Sequence, residues 1–154
     1  MTQHTITQHT ITRPITPEEF AITWRLVDWR QEYDDGRLQY PMGENPQGLI
    51  AYRDGRMYEI ATSADRPNFV TGGQWDADDA EKAMAYTTSM CYAGTYELQG
   101  DEVVHHVDMS VYPNFVGKSL RRTVSWDGET MTLSGRMEEG TSEARTVILD
   151  WRPL

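Results

Sequence analysis

The stretch EVVHHVDMSVYPNFVGKSLRR, residues Glu102–Arg122, begins as a valine-rich strand, is interrupted by Pro113 and Gly117, and continues as a second strand. Successive side chains of a strand point to opposite faces of the sheet, so His105 and His106 point apart. Two diverging imidazoles do not chelate one metal ion, and either histidine that does chemistry does so singly. Proline lacks an N–H and glycine has free backbone dihedrals, so the interruption predicts a bend at the rim of a sheet.

Strands of the same kind fill the C-terminal half of the chain. The β-prone segments there are separated by turns rich in Gly, Asp and Pro, and they read CYAGTYELQ, EVVHHVDMSVY, KSLRRTVSW, ETMTLSGRM and ARTVILDWR. Short strands at regular spacing favour an antiparallel meander, and closure into a barrel removes the exposed edges of such a sheet.

The N-terminal half adds further strand signals and one helix. Thr16 and Glu19 form a capping-box pattern around a proline, which predicts a single helical turn. LIAYRDGRMYEI, residues 49–60, predicts a hairpin around an Asp-Gly turn. An alanine-rich segment predicts one substantial helix, with Asp76 as the candidate N-cap. The predicted fold is an all-β, antiparallel up-and-down barrel of about eight strands with one helix, whose interior holds one small ligand.

Composition and charge narrow the function classes. The chain has 154 residues and a net charge of −10, which argues against nucleic-acid binding because phosphate recognition needs a basic face. One cysteine fits a reducing compartment, and no apolar run has the length of a membrane span, so we expect a cytoplasmic protein. Residues 1–15, with the repeated TQHTI, are predicted to be a flexible leader, and residues 16–154 a single barrel domain.

Side-chain alternation predicts which residues face the barrel interior. Ordinary core packing accounts for most of them. The residues we expect to contact a ligand are Trp24, Tyr52, Tyr58, Tyr96, Val107, Met109, Trp126 and Met131.

Four polar residues on this face are more informative, because an unpaired polar group there is costly. His105 is either a core histidine bonded to a tyrosine or backbone group, or a general acid or base. Arg122 either forms an internal ion pair, points outward, or binds a ligand oxygen. Tyr92 and Tyr96 pack well and still carry one hydroxyl to place. The candidate catalytic set is His105, Tyr92 and Arg122.

Several stretches together resemble the bacterial and fungal family of lipocalin-like domain proteins. They are TWRLVDW, YPMGENPQGLIAYRDGRMY, RPNF, YAGTYEL, VVHHVDMSVYPNFVGKSLRR and LDWRP, in the family's order from Trp24 to Pro153. The resemblance implies a calycin-type barrel with an internal cavity, often encoded near secondary-metabolite pathways. Related barrels serve as carriers, cofactor-free cyclases and lyases, so the resemblance leaves the activity open. The matching motif directs attention to His105, His106, Asn114, Gly117 and Arg122.

Two functions fit these observations. The first is a cofactor-free cyclase, isomerase or lyase acting on a small, largely apolar substrate, since the sequence has no phosphate loop, nucleophile elbow or metal-ligand spacing. The second is a carrier for a small hydrophobic molecule, which needs only an apolar cavity and one or two orienting polar groups. A packed domain acting through its surface is a third interpretation. No metal, nucleic-acid or membrane partner is expected, and a homodimer is compatible with the sequence.

Overall fold

The computed structural model describes residues 11–154. The helices are α1 (Pro17–Phe20) and α2 (Asp79–Thr87), with a short 3-10 helix at Pro113–Phe115. The strands are β1 (Thr23–Tyr33), β2 (Leu38–Gln39), β3 (Gln47–Arg53), β4 (Arg56–Thr62), β5 (Ser89–Gln99), β6 (Glu102–Ser110), β7 (Ser119–Trp126), β8 (Met131–Met137) and β9 (Arg145–Pro153).

Eight of these strands close into an antiparallel barrel. The order runs from β1 through β3, β4 and onward to β9, and β9 pairs back onto β1. The two-residue β2 is added beside the far end of β1, where Gln31 pairs with Gln39. The predicted all-β lipocalin-like barrel is therefore confirmed. Within residues 11–154, no helix is long and apolar enough to cross a membrane.

Local signals in the sequence account for several elements. Asp54 and Gly55 both have positive φ, as a two-residue hairpin turn requires, and they join β3 to β4 as predicted. The capping box of α1 is present, with the Thr16 side chain accepting from the Glu19 N–H. The predicted N-cap of the second helix is wrong. α2 begins three residues after Asp76, whose carboxylate instead accepts a hydrogen bond from the Gly73 N–H at 2.7 Å.

One end of the barrel is filled by large side chains. α1 inserts Phe20, which is fully buried and packs on Tyr52 with ring centroids 4.1 Å apart. Trp24 packs edge-on against Trp126 at 5.5 Å, and the Trp24 indole donates to the Phe20 carbonyl at 3.0 Å. Trp151 is also completely buried. We call this the closed end; the site described below lies toward the opposite end.

A β-bulge changes which side chains of β6 point into the barrel. Ala93 pairs with Met109 and the adjacent Gly94 pairs with Val107, so Asp108 is an extra residue. Beyond it the alternation is inverted: Met109 is 57% exposed, whereas Ser110 lines the interior cavity. The predicted inward orientation of Met109 is therefore wrong.

The two tyrosines of the β3–β4 hairpin point to opposite faces of the barrel wall. Tyr52 pairs with Met57, and both are buried inside the barrel. Tyr58 pairs with Ala51 on the outer face and is 51% exposed, so its expected inward orientation is also wrong. Its neighbour Glu59 points inward instead, at 5% exposure.

The predicted leader lies largely outside the described residues, which begin at Ile11. Contacts with the barrel start within the range assigned to the leader. The Arg13 N–H donates to the Trp126 carbonyl at 2.9 Å, the Arg13 guanidinium pairs with Glu19 at 2.6 Å, and Ile15 is buried. Residues 13–15 therefore contact the closed end of the barrel.

Candidate functional site

The barrel interior contains a cavity of about 300 Å³. Its walls are mainly apolar and include Trp29, Leu133, Val147 and Leu149 from β1, β8 and β9. Residues at the end of α2 and in the 3-10 segment contribute to its outer part. They are Tyr86, Thr87, Tyr112 and Phe115. The size and lining are those of a site for one small, largely apolar molecule.

Four polar side chains converge on this cavity. Glu59 comes from β4, Tyr92 from β5, His105 from β6 and Arg122 from β7, each on the inward face of its strand. Glu59 and Tyr92 are direct cross-strand partners. Four consecutive strands therefore supply one side chain each to a polar cluster in an otherwise apolar wall.

His105 is held by two tyrosine hydroxyls. Its Nε2 lies 2.7 Å from the Tyr52 hydroxyl and its Nδ1 lies 2.8 Å from the Tyr92 hydroxyl. The pKa of His105 is lowered to about 3, mainly by burial and to a smaller extent by the charges of Arg122 and His106. The imidazole is therefore neutral at physiological pH, with one protonated and one unprotonated ring nitrogen.

Burial also sets the protonation of the two tyrosines. It raises the pKa of the Tyr52 and Tyr92 hydroxyls well above the ordinary value, with a further increase from the nearby Glu59 carboxylate. Both hydroxyls keep their protons and act as neutral hydrogen-bonding groups.

Glu59 is the functional candidate that sequence reasoning missed. Burial raises its pKa to about 7, and the opposing effects of the Tyr92 hydroxyl and the Arg122 charge are smaller. Its position in β4 indicates that it faces inward, because Glu59 alternates with Met57 and Ala61, which are fully buried on the same face. Glu59 is not among the residues predicted from the sequence to face the barrel interior, and the structure shows that it does face the interior.

Arg122 reaches the cavity from a half-buried position. Its Nη1 donates to the backbone carbonyl of Arg121 at 2.9 Å. Gly135, beside it on β8, provides the space, since a β-carbon there would come within 2.9 Å of this same nitrogen. The remaining guanidinium N–H groups give Arg122 further donors.

The structure brings together some predicted site residues and separates others. All three candidate catalytic residues, Tyr92, His105 and Arg122, line the cavity. Tyr96 is half-buried and packs on Phe20 and Tyr52 toward the closed end. The remaining predicted ligand contacts that do face inward are packed into the core and do not line the cavity: Trp24, Tyr52, Val107, Trp126 and Met131.

The other residues of the central motif lie at the surface. His106 points outward, as predicted, and its Nδ1 lies 2.8 Å from the Ser119 hydroxyl. Asn114 donates to the Tyr112 hydroxyl at 3.2 Å. Gly117 has a φ of 82° in the turn that leads into β7, consistent with the predicted bend.

A closed eight-stranded barrel with an apolar cavity and a few convergent polar groups defines a small-molecule-binding barrel. The sequence profile of the lipocalin-like domain matches residues 23–153, and the chain belongs to this lipocalin-like family. No curated protein matches the chain in sequence.

Proposed function

We propose that the protein is a cofactor-free acid–base enzyme that cyclises, isomerises or eliminates from a small, largely apolar carbonyl compound held in the barrel. One observation carries this proposal: a carboxyl group, Glu59, lies 95% buried on the wall of an apolar cavity. A buried carboxyl without an ion-pair partner is costly for folding, and such groups concentrate at functional sites.

Glu59 is suited to move a proton near neutral pH. With a pKa of about 7, it is present in both protonation states there. The ionised carboxylate removes a proton from the carbon next to the ligand carbonyl. The C–H electron pair forms a carbon–carbon double bond, and the π pair of the carbonyl moves to its oxygen, which gives an enolate. In an unsaturated substrate, returning the proton from Glu59 to the far carbon of the conjugated enolate gives an isomer. Loss of a leaving group with its electron pair from the carbon β to the carbonyl gives elimination. Attack of the enolate carbon on an electrophilic carbon of the same molecule closes a ring, and the proton on Glu59 passes to the group that receives the displaced electron pair.

Arg122 and Tyr92 supply the complementary charge and hydrogen bonds. An enolate oxygen carries negative charge, and a guanidinium and a hydroxyl in a water-poor cavity stabilise it. The positive charge of Arg122 already lowers the pKa of Glu59, so the two groups interact electrostatically across the cavity. We assign proton transfer to Glu59 in place of His105, because both His105 nitrogens are bonded to tyrosines and its pKa is about 3.

The alternative function is a carrier for a small hydrophobic ligand. The apolar wall favours it, since sequestration needs no proton transfer and uses the polar cluster only to orient the ligand. The two functions differ in a single observable: whether the bound molecule exchanges or rearranges its C–H bonds.

Deuterium exchange of a model ketone separates these functions without knowledge of the natural substrate. The probe is 2-tetralone, a small apolar ketone with acidic C–H bonds beside the carbonyl. Binding is first established by quenching of tryptophan fluorescence, and deuterium uptake from D₂O is then followed by mass spectrometry. We expect wild type to accelerate exchange, Glu59→Gln to lose this acceleration by about tenfold or more, and Arg122→Met to lose about tenfold.

The matched control for the exchange assay is Glu44→Gln, which alters an exposed carboxylate outside the cavity and should exchange like wild type. A ketone that binds wild type without any accelerated exchange would favour the carrier. Equal exchange by wild type and Glu59→Gln would remove Glu59 from the mechanism.

We further propose that two copies associate through the outer face of β3–β6. Leu49 pairs with Ile60, and the cross-strand row Ala51, Tyr58, Ala93 and Met109 lies beside them, so this face is apolar across four strands. Extended exposed apolar patches mark interaction sites. Asp108, at the bulge, is neutralised by Arg56 at 2.9 Å, which reduces repulsion here between two chains of net charge −10.

Sedimentation velocity tests this association. Wild type is expected to be a dimer at micromolar concentration, and Ile60→Glu, which places a charge on this half-exposed position, is expected to be a monomer. Val70→Glu adds the same charge at an exposed loop position and should remain dimeric. Monomeric wild type across the concentration range would rule the proposal out.

A further inference from the structure

A chain of hydrogen-bonding groups runs from the closed end of the barrel to the cavity. It starts at Tyr52, which is 1% exposed and packs against Phe20 and Tyr96, and it passes through His105 to Tyr92. Tyr92 is beside Glu59 on the neighbouring strand. The groups therefore follow one another in the order Tyr52, His105, Tyr92, Glu59.

The direction of this chain follows from proton counting. A neutral imidazole donates from one nitrogen and accepts at the other, so one tyrosine donates to His105 and the other accepts from it. A tyrosine that accepts must aim its own O–H at another acceptor. Within residues 11–154, the Tyr52 hydroxyl is hydrogen-bonded to His105 Nε2 and to no other side chain, and the rings of Phe20 and Tyr96 pack against the Tyr52 ring.

Tyr92 is in the opposite situation. Its side chain lines the cavity together with that of Glu59, its direct cross-strand partner. If Tyr92 accepts from His105, its own O–H has an acceptor in Glu59, whereas the O–H of Tyr52 would have none. A buried donor without an acceptor costs about 1 to 3 kcal/mol. The lower-energy arrangement has Tyr52 donating to Nε2, Nδ1–H donating to Tyr92, and the Tyr92 O–H directed at Glu59 or at a ligand.

We propose that Tyr52 fixes His105 as the Nδ1–H tautomer and thereby leaves the Tyr92 O–H free to donate to Glu59 or to a ligand. Tyr52 and His105 are then positioning residues for the Glu59–Tyr92 pair, a role that rests on the proposed function. The direction of the chain does not depend on the proposed function, because it rests on the two hydrogen bonds of a neutral His105 and on the position of Glu59 beside Tyr92. It also specifies the ligand, because Tyr92 presents a donor, and the group that fits beside it is an acceptor such as a carbonyl oxygen.

The tautomer is directly observable by NMR. In protein labelled with ¹⁵N at histidine, long-range ¹H–¹⁵N correlations distinguish the protonated from the unprotonated ring nitrogen. The His105 signals are identified by their loss in His105→Gln, among the four histidines of the chain. We expect Nδ1 to be protonated in the unliganded wild type. Protonation at Nε2 would overturn the proposal, and this measurement needs no variant other than the one used for assignment.

A second readout follows the effect on Glu59. In Tyr52→Phe the tautomer is no longer fixed, Tyr92 can donate back to His105, and Glu59 loses a donor that favours its ionised form. We expect a mixed tautomer and a rise of about one unit in the Glu59 pKa, a tenfold change in its protonation equilibrium, measured by ¹³C NMR of the carboxyl carbon. Tyr96→Phe, which removes a neighbouring hydroxyl not bonded to His105, is the matched control.

The outcomes separate the two proposals. An unchanged tautomer and unchanged Glu59 titration in Tyr52→Phe would show that Tyr52 does not direct the chain. The Nδ1–H tautomer in a protein that fails the ketone-exchange assay would leave the direction of the chain intact and reject its catalytic role.

Discussion

Glu59→Gln is expected to be less sensitive to pH than wild type. Between pH 5 and pH 8, ionisation of Glu59 lowers the free energy of unfolding of wild type by about 2 to 3 kcal/mol, and the variant lacks this decrease. The pKa of Glu59 is about 7 in the folded protein, against an ordinary value of 4.5. Between these values the folded state holds a proton that the unfolded state has released. Stability from this group is complete below the unfolded pKa and is lost as the pH rises through the folded pKa, because the buried carboxyl must then ionise.

Urea denaturation at several pH values measures this effect. Glutamine has a similar size and no charge, so any cost of burying its amide is the same at every pH, and only the slope against pH reports Glu59. Glu44→Gln, an exposed matched change, should keep the wild-type slope. A Glu59→Gln slope parallel to that of wild type would mean that the carboxyl is ionised in the folded protein throughout this range.

This prediction links stability to function. The carboxyl expected to weaken the fold at neutral pH is also the group that we propose as the acid–base, and both expectations follow from its burial in an apolar wall. We expect Glu59→Gln to lack the destabilisation that ionisation of this carboxyl causes at neutral pH and also to lose ketone exchange, the usual relation between a strained site and its activity.

Local sequence signals predicted much of the fold. Three local patterns depend only on residues close together in the chain: the Asp54-Gly55 turn, the Thr16–Glu19 capping box and the alternation in the segments after Cys91. The barrel follows because closure removes the exposed edges of the resulting sheet. The bulge at Asp108 escaped prediction, because it depends on how β5 approaches β6. Simple alternation continued through it and placed Met109 inside.

The site was predictable in part. Alternation brought Tyr92, His105 and Arg122 to one face, since all three lie before any interruption of the pattern in their strands. Alternation does not show which inward residues line a cavity and which pack against one another. The position of the cavity depends on how α1 fills the closed end with Phe20. Glu59 is hard to predict because a carboxylate is seldom fully buried, although it alternates with two buried neighbours on the inward face of β4.

Gly94→Ala is expected to destabilise the protein by about 3 kcal/mol or more, the range of severe overpacking against backbone. Gly94 is buried and faces the bulge, where β6 comes unusually close. A β-carbon there would overlap the carbonyl oxygen of His106 and lie 2.8 Å from its carbonyl carbon and 3.0 Å from Val107 Cα. These are backbone atoms, so relief requires moving one strand away from the other.

That movement would also disturb the site, because the same two strands hold Tyr92 and His105 at hydrogen-bonding distance. Denaturation and the His105 tautomer signal are therefore measured together, and we expect both to change. Gly73→Ala is the matched control, since its new β-carbon would meet only the flexible Asp76 carboxylate, at 3.1 Å. A Gly94→Ala protein within about 1 kcal/mol of wild type, with its His105 signals unchanged, would show that β5 and β6 adapt to a methyl group and that the close approach is not what fixes the site.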